Sequence, residues 1–196
     1  MNLTQKTIEK ILRQVASRRL SSRKAFERLK NLPYETFSFA RVDHHRSLRK
    51  GFPEAVYAPG KTVEQLEKII DSIRKSGQSL IVTRLEKNIY QDLRRNFRGL
   101  RYSEEARIAY FCNGKIPRND VRRPVAVLTA GTSDLPVAEE AVLTLELIGF
   151  RPIRMYDCGV AGLHRLFDQL PTLKEVKAII CVAGMEGALA SVVAGL

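Results

Sequence analysis

No apolar run in the 196-residue sequence reaches the roughly 18 residues that a membrane-spanning helix needs. The opening MNLTQKTIEK lacks the apolar core and cleavage site of a secretory leader. A soluble, cytoplasmic protein with no membrane partner is therefore expected. Cysteine is scarce: Cys112, Cys158 and Cys181 have no CxxC spacing and do not all pair within one chain, which favours a reducing compartment and argues against a structural zinc site. Of the 3 histidines, His44 and His45 sit side by side after Asp43. Neighbours in an extended segment point to opposite faces and do not converge on one ion, so no metal site is expected. The basic residues are accompanied by no nucleic-acid motif and no row of aromatics, so a nucleic-acid partner is not expected either.

What the sequence does have is an uneven charge. The formal net charge is +12, yet residues 124–196 carry 5 Lys and Arg against 8 Asp and Glu. The acidic excess of that segment leaves the whole basic surplus to residues 1–123. The break falls in NDVRRP (119–124), a polar stretch closed by proline, and predicts two domains, 1–123 and 124–196. A basic N-terminal half suits the gathering of an anionic small substrate.

Within that half, Ile8, Ile11, Leu12 and Val15 follow helical spacing behind Thr4 as a candidate cap. Ser21 or Ser22 heads a second helix carrying Ala25, Phe26 and Leu29. Residues 37–42 (FSFARV) read as a strand, followed by loops punctuated by proline and glycine up to Thr62. Thr62 is placed to cap a helix over 63–75. Strands are expected at 79–83 (SLIVT) and 107–111 (RIAYF), with an arginine-rich helix over 86–97 between them. These elements make a small α/β domain.

Residues 125–129 (VAVLT) read as a short, β-branched, fully buried parallel strand, and 136–147 has helical spacing. Between them lies Ala130-Gly131-Thr132-Ser133-Asp134, a loop offering backbone N–H groups, two hydroxyls and a helix start to an anion. A second strand over 151–156 ends in Asp157-Cys158-Gly159-Val160-Ala161-Gly162, and a third, read as buried, over 177–182 ends in Ala183-Gly184-Met185-Glu186-Gly187, where Glu186 is expected to be partly desolvated. Three such units in succession predict parallel crossovers with a ligand site outside the carboxyl ends of the strands.

The segments TAGTSDLPVAEE (129–140), DCGVAGLHRL (157–166) and AGMEGAL (183–189), with RVDHHRSLRKGFPEAVYAPGKT upstream, resemble the LarB family of nickel-pincer cofactor biosynthesis. The catalytic domain of that family is similar to phosphoribosylaminoimidazole carboxylase, with which it shares a Ser-Asp-Leu-Pro loop. The resemblance implies an α/β fold, a small N-terminal α/β domain followed by the N-terminal part of a flavodoxin-like or Rossmann-like parallel-sheet domain. It implies a pyridinium-3,5-biscarboxylic acid mononucleotide synthase, which carboxylates nicotinic acid adenine dinucleotide at C5 of the pyridinium ring and releases AMP. It further implies CO2 or bicarbonate as co-substrate and a homo-octamer as the assembly, and no tightly bound cofactor is expected, with Mg2+ allowed as a helper.

On this resemblance Glu186 is the base that removes the C5 proton, while Gly131, Thr132, Ser133, Asp134, Asp157, Gly159, Val160, Ala161, Gly184, Met185 and Gly187 bind substrate. Ser133 is expected on the phosphate and Asp134 on the ribose. The cationic ring is a poor nucleophile, so a thiolate must add to it before it attacks CO2. In the family that cysteine stands in a Ser-Cys-Ala-type stretch after the third helix, which places it beyond Leu196. Ala190 stands where the family usually has proline. A purine-biosynthesis carboxylase is disfavoured, because its loop histidines are missing: Ala188 occupies one position, Asp157 to Ala161 contain none, and His164 lies further on. The other alternative is a noncatalytic nucleotide-binding module.

Overall fold

The computed structural model describes residues 3–29, 35–43, 46, 54–112 and 124–196. His44, His45 and, apart from Pro124, the boundary stretch 119–124 lie outside the described residues. The chain divides into two compact units, residues 1–55 with 62–80, and residues 56–61 with 81–196.

In the first unit α1 (Leu3–Ala16) and α2 (Ser22–Leu29) bury Ile11, Leu20 and Ala25 between them, with Val15 and Leu29 packed alongside. The Ser21 hydroxyl accepts the Lys24 N–H at 3.3 Å and caps α2. α1 begins at Leu3, one residue ahead of the cap position expected at Thr4. The single strand expected over 37–42 is instead a hairpin of β1 (Glu35–Thr36) and β2 (Arg41–Val42). Phe37 N–H donates to the Ala40 carbonyl at 2.8 Å and closes the turn, and the Phe37 and Phe39 rings stack with centroids 5.6 Å apart. Their packing at the tip overrides the strand propensity of FSF. The expected cap at Thr62 is present: its side chain accepts from Gln65 N–H while Gln65 Oε1 accepts from Thr62 N–H, a capping box at the head of α3 (Val63–Lys75). Leu66, Ile69, Ile70 and Ile73 form the buried stripe of that helix.

A four-stranded sheet has the order β3-β4-β6-β5, built from β3 (Glu54–Tyr57), β4 (Leu80–Thr83), β5 (Arg101–Ser103) and β6 (Ile108–Phe111). Helix α4 (Lys87–Asn96) precedes β5. β3 was expected as loop and β5 was not expected at all, since four and three residues give too little period to read. β3 is defined by its pairing with β4, well along the chain, and β5 by its short antiparallel pairing with β6, which follows it directly.

The remaining sheet has the order β8-β7-β9 and is wholly parallel, with β7 (Pro124–Thr129) at its centre between β8 (Arg151–Met155) and β9 (Ala178–Val182). β7 alternates its side chains between two helical layers. Ala126 and Leu128 join Met155, Leu166 and Leu189 on one face, where α6 (Leu163–Phe167) and α8 (Ala188–Ala194) supply the cover. A short α7 (Leu170–Leu173) follows α6. Val127 joins Ala138 and Val142 of α5 (Leu135–Leu147) on the other face. With helices on both faces of a parallel sheet this is an α/β fold of flavodoxin-like character. α5 is apolar nearly all round because it is packed twice. Its Leu143 and Leu147 meet Ile81 and Ile108 of the four-stranded sheet, within the same unit. Among the described residues no helix is long and apolar enough to cross a membrane.

Candidate functional site

All three glycine-bearing loops leave the parallel sheet by its carboxyl end. In the first, residues 132–134 form one 3-10 turn that runs straight into α5, with Pro136 in the first turn of that helix. Asp134 does not cap α5 with its side chain. Its Oδ2 accepts the Gly131 N–H at 2.9 Å, and its own N–H donates to the Gly131 carbonyl at 3.3 Å, so the loop is cinched on itself. Thr132 and Ser133 are left exposed at the apex, with Asp134 half-buried below them.

The second loop is fastened to the first. The Thr129 side chain is fully buried, and its hydroxyl accepts the Asp157 N–H at 2.9 Å, while the Thr129 carbonyl accepts the Cys158 N–H at 2.8 Å. A Cβ on Gly159 would stand 2.5 Å from the Ala130 carbonyl oxygen, so only glycine lets the two backbones approach this closely. Asp157 adopts φ +57°, a left-handed conformation that an aspartate tolerates better than most residues. This turns its exposed carboxylate outward to accept from Arg165 Nη1. Arg165 Nε is buried with no hydrogen-bond partner among the described residues, and the missing side chain of Gly162 makes room for that guanidinium. Val160 and Ala161 form an exposed 3-10 turn with Gly162, and His164 is exposed at the start of α6.

The third loop touches the first at one point, where Ala130 N–H donates to the Val182 carbonyl at 3.0 Å. Beyond it Gly184, Met185 and Glu186 are exposed, and Gly187 turns at φ +79° to start α8. The Met185–Glu186 peptide is cis. β9, expected as a buried strand that would partly desolvate Glu186, is an edge strand with Ala178 and Ile179 exposed, and the Glu186 side chain stands in solvent.

Burial pushes the Cys158 thiol up, with Asp157 adding to it and Arg165 opposing, and the side chain packs in the core against Leu128 and Leu166. It is a small buried hydrophobe rather than a thiolate. Burial likewise raises Cys112 and Cys181.

Below the first two loops lies a polar network that the sequence reading missed. Arg154 on β8 donates to both oxygens of Glu139 on α5, at 3.1 and 3.3 Å, and pairs with Glu146 at 3.3 Å. The Tyr156 hydroxyl donates to Glu139 Oε1. Burial works to raise the Glu139 carboxyl, but the bonds from Arg154 and Tyr156 outweigh it and hold the group below the usual carboxylate range. Burial, with Glu139 beside it, pushes the Tyr156 phenol up. The signal was there to find: Arg154 and Tyr156 alternate with apolar Ile153 and Met155, so both point to the α5 side of the sheet.

Comparison with known proteins adds the following. Residues 34–114 match the LarB/PurE-like N-terminal domain. An uncharacterized protein of Methanocaldococcus jannaschii is similar to this chain, 38% identical over 164 residues, with 80% of this chain and 63% of that protein aligned. The chain thus spans less than two thirds of the relative it matches. The domain match falls on the small α/β region, while the three loops carry their resemblance further along the sequence. Over residues 34–114 the chain thus carries a LarB/PurE-like N-terminal domain, a domain type that is carboxylase-related.

Proposed function

We propose that this chain acts in the carboxylation of nicotinic acid adenine dinucleotide at C5 of the pyridinium ring, with release of AMP. The product is pyridinium-3,5-biscarboxylic acid mononucleotide, a precursor of the nickel-pincer cofactor. The observation that carries the reading is the joining of three glycine-bearing loops at one end of one parallel sheet, in a chain that carries a LarB/PurE-like N-terminal domain. In this reading the exposed hydroxyls of Thr132 and Ser133 donate to the mononucleotide phosphate. Asp134 spends Oδ2 on the Gly131 amide and offers its other oxygen to a ribose hydroxyl. Asp157, Gly159, Val160 and Ala161 line the second side. Gly184, Met185 and Gly187 flank the ring, where small or flexible residues allow a flat group to come close, and Glu186 takes the C5 proton.

A thiolate must add to the electron-poor ring before it can attack CO2. Cys158 is unsuited to that task, being buried with its thiol pushed up. The family resemblance gives the task to a cysteine in a Ser-Cys-Ala-type stretch after the third helix. CO2 or bicarbonate as co-substrate, a cytoplasmic setting, a homo-oligomer and the division into a basic domain of residues 1–123 and a carboxylase-like domain from 124 onward belong to the same proposal.

Titration calorimetry tests it. Asp134→Ala should weaken binding of nicotinic acid adenine dinucleotide and of nicotinic acid mononucleotide about tenfold, the effect of one lost charge-assisted hydrogen bond, with little change in melting temperature. Unchanged affinity would remove the ribose assignment. The burial of Cys158 favours one second reading, a module that binds nucleotide without reacting. Thermal stabilisation by the dinucleotide with no product from dinucleotide and bicarbonate would decide for it.

A further inference from the structure

A second cluster outside the three loops has the chemistry of a nucleotide subsite. Tyr57 ends β3 as a half-exposed residue, with a relative exposure of 52%. Arg84 follows β4, and its guanidinium carbon stands 5.7 Å from the centroid of that ring. The ammonium of Lys61 donates to the Tyr57 carbonyl at 2.6 Å. The segment between them is built to keep this geometry. Lys61 N–H donates to the Ala58 carbonyl at 3.1 Å across Pro59 and Gly60, and Gly60 has φ +79°, the dihedral a type II turn requires at that position. Ala58 N–H donates to the Thr83 carbonyl at 3.1 Å and ties the turn to the end of β4.

Arg84 itself has φ +52°. Arginine has no local side-chain bond that favours this conformation, unlike Asp157, so its presence points to a constraint on where the guanidinium is aimed. What holds that aim is on α5: Arg84 Nε pairs with Glu140 at 3.5 Å. Glu140 is six residues beyond Asp134 along the chain, about 9 Å at helical rise. The aromatic and cationic cluster is thus anchored to the helix that the phosphate-type loop opens.

We infer that Tyr57, Lys61 and Arg84 form a subsite for the adenosine 5′-phosphate half of a dinucleotide. The base stacks on the ring of the half-exposed Tyr57, and the two cations meet the phosphate. A half-exposed aromatic residue beside a guanidinium and an ammonium recognises a ligand that is both planar and anionic. That the planar group is adenine rests on the function proposed above, and the test keeps the two apart.

The test titrates the full chain with AMP, with nicotinic acid mononucleotide and with nicotinic acid adenine dinucleotide. Tyr57→Ala should weaken AMP and the dinucleotide about tenfold, as loss of one base-stacking contact does, while Tyr57→Phe retains both. Arg84→Ala should weaken AMP and flatten its salt dependence. Neither alanine variant should change mononucleotide affinity, which also serves as the check that the variants are folded. AMP affinity unchanged in both alanine variants, or no AMP binding to the parent chain, would overturn the subsite. If AMP binds and responds to the variants but the mononucleotide does not bind the parent chain, the subsite stands and the carboxylase reading falls; melting temperature then serves as the folding check.

Discussion

The first two loops and the third leave the same sheet by the same end, yet they are held differently. The first two are locked by a buried hydroxyl, one backbone bond and a glycine contact, all converging on Thr129 and Ala130. The third shares one backbone bond with them and then runs free, with Met185 fully exposed and Glu186 in solvent. The difference lies in Thr129 rather than in strand position: among the described residues β8 and β9 both flank the central β7 as edges, but the hydroxyl and the carbonyl of the buried Thr129 both bond to the second loop and neither to the third. In the proposed reaction the locked loops would hold the phosphate and the more open loop would bring Glu186 to the ring, a division of labour that fits how each is held.

The largest effect expected from breaking the locked side is at Gly159. Gly159→Ala drives a Cβ into the Ala130 carbonyl oxygen, a backbone atom that yields only if the loops separate. It should cost about 3 kcal/mol in denaturant unfolding and abolish mononucleotide binding. A next-largest effect is expected beneath the loops. Glu139→Gln weakens the bonds from Arg154 and Tyr156 and should cost about 1–2 kcal/mol at neutral pH. Because the folded-state value of this carboxyl is depressed, its contribution is present in full above the ordinary carboxylate range and is lost as pH falls through the lower folded-state value. The parent should therefore lose stability over that acid window more steeply than Glu139→Gln, as measured by unfolding at a series of pH values. The smallest effect is on the open side. Met185→Ala should change stability by less than about 0.5 kcal/mol.

Much of this was legible in the sequence where a local signal is strong. VAVLT reads as a buried strand because it is short and apolar, with its β-branched residues spaced along it, and the Thr62-x-x-Gln65 pattern reads as a helix start because both side chains reach back to the backbone. The three loops were visible as glycine clusters at strand ends. What stayed hidden depends on which residues meet in the folded chain rather than on any local period. EAVY becomes β3 only through its sheet neighbours, FSFARV bends into a hairpin through two rings at its tip, and the need for glycine at 159 exists only because Ala130 lies against it. The exposure of Glu186 was misjudged for the same reason, since sequence does not say which parallel strand is the edge.

The most direct test of the account is amide hydrogen exchange on the full chain with and without nicotinic acid adenine dinucleotide. Without ligand, the amides of Ala130, Gly131, Asp157 and Cys158 should exchange slowly, being bonded in the locked loops, while those of Met185 and Glu186 exchange fast. With saturating dinucleotide the account predicts that Met185 and Glu186 become protected as the third loop closes on the ring. Protection of the first two loops with no change at Met185 and Glu186 would contradict it, since the group proposed to take the C5 proton would then stand apart from the bound substrate.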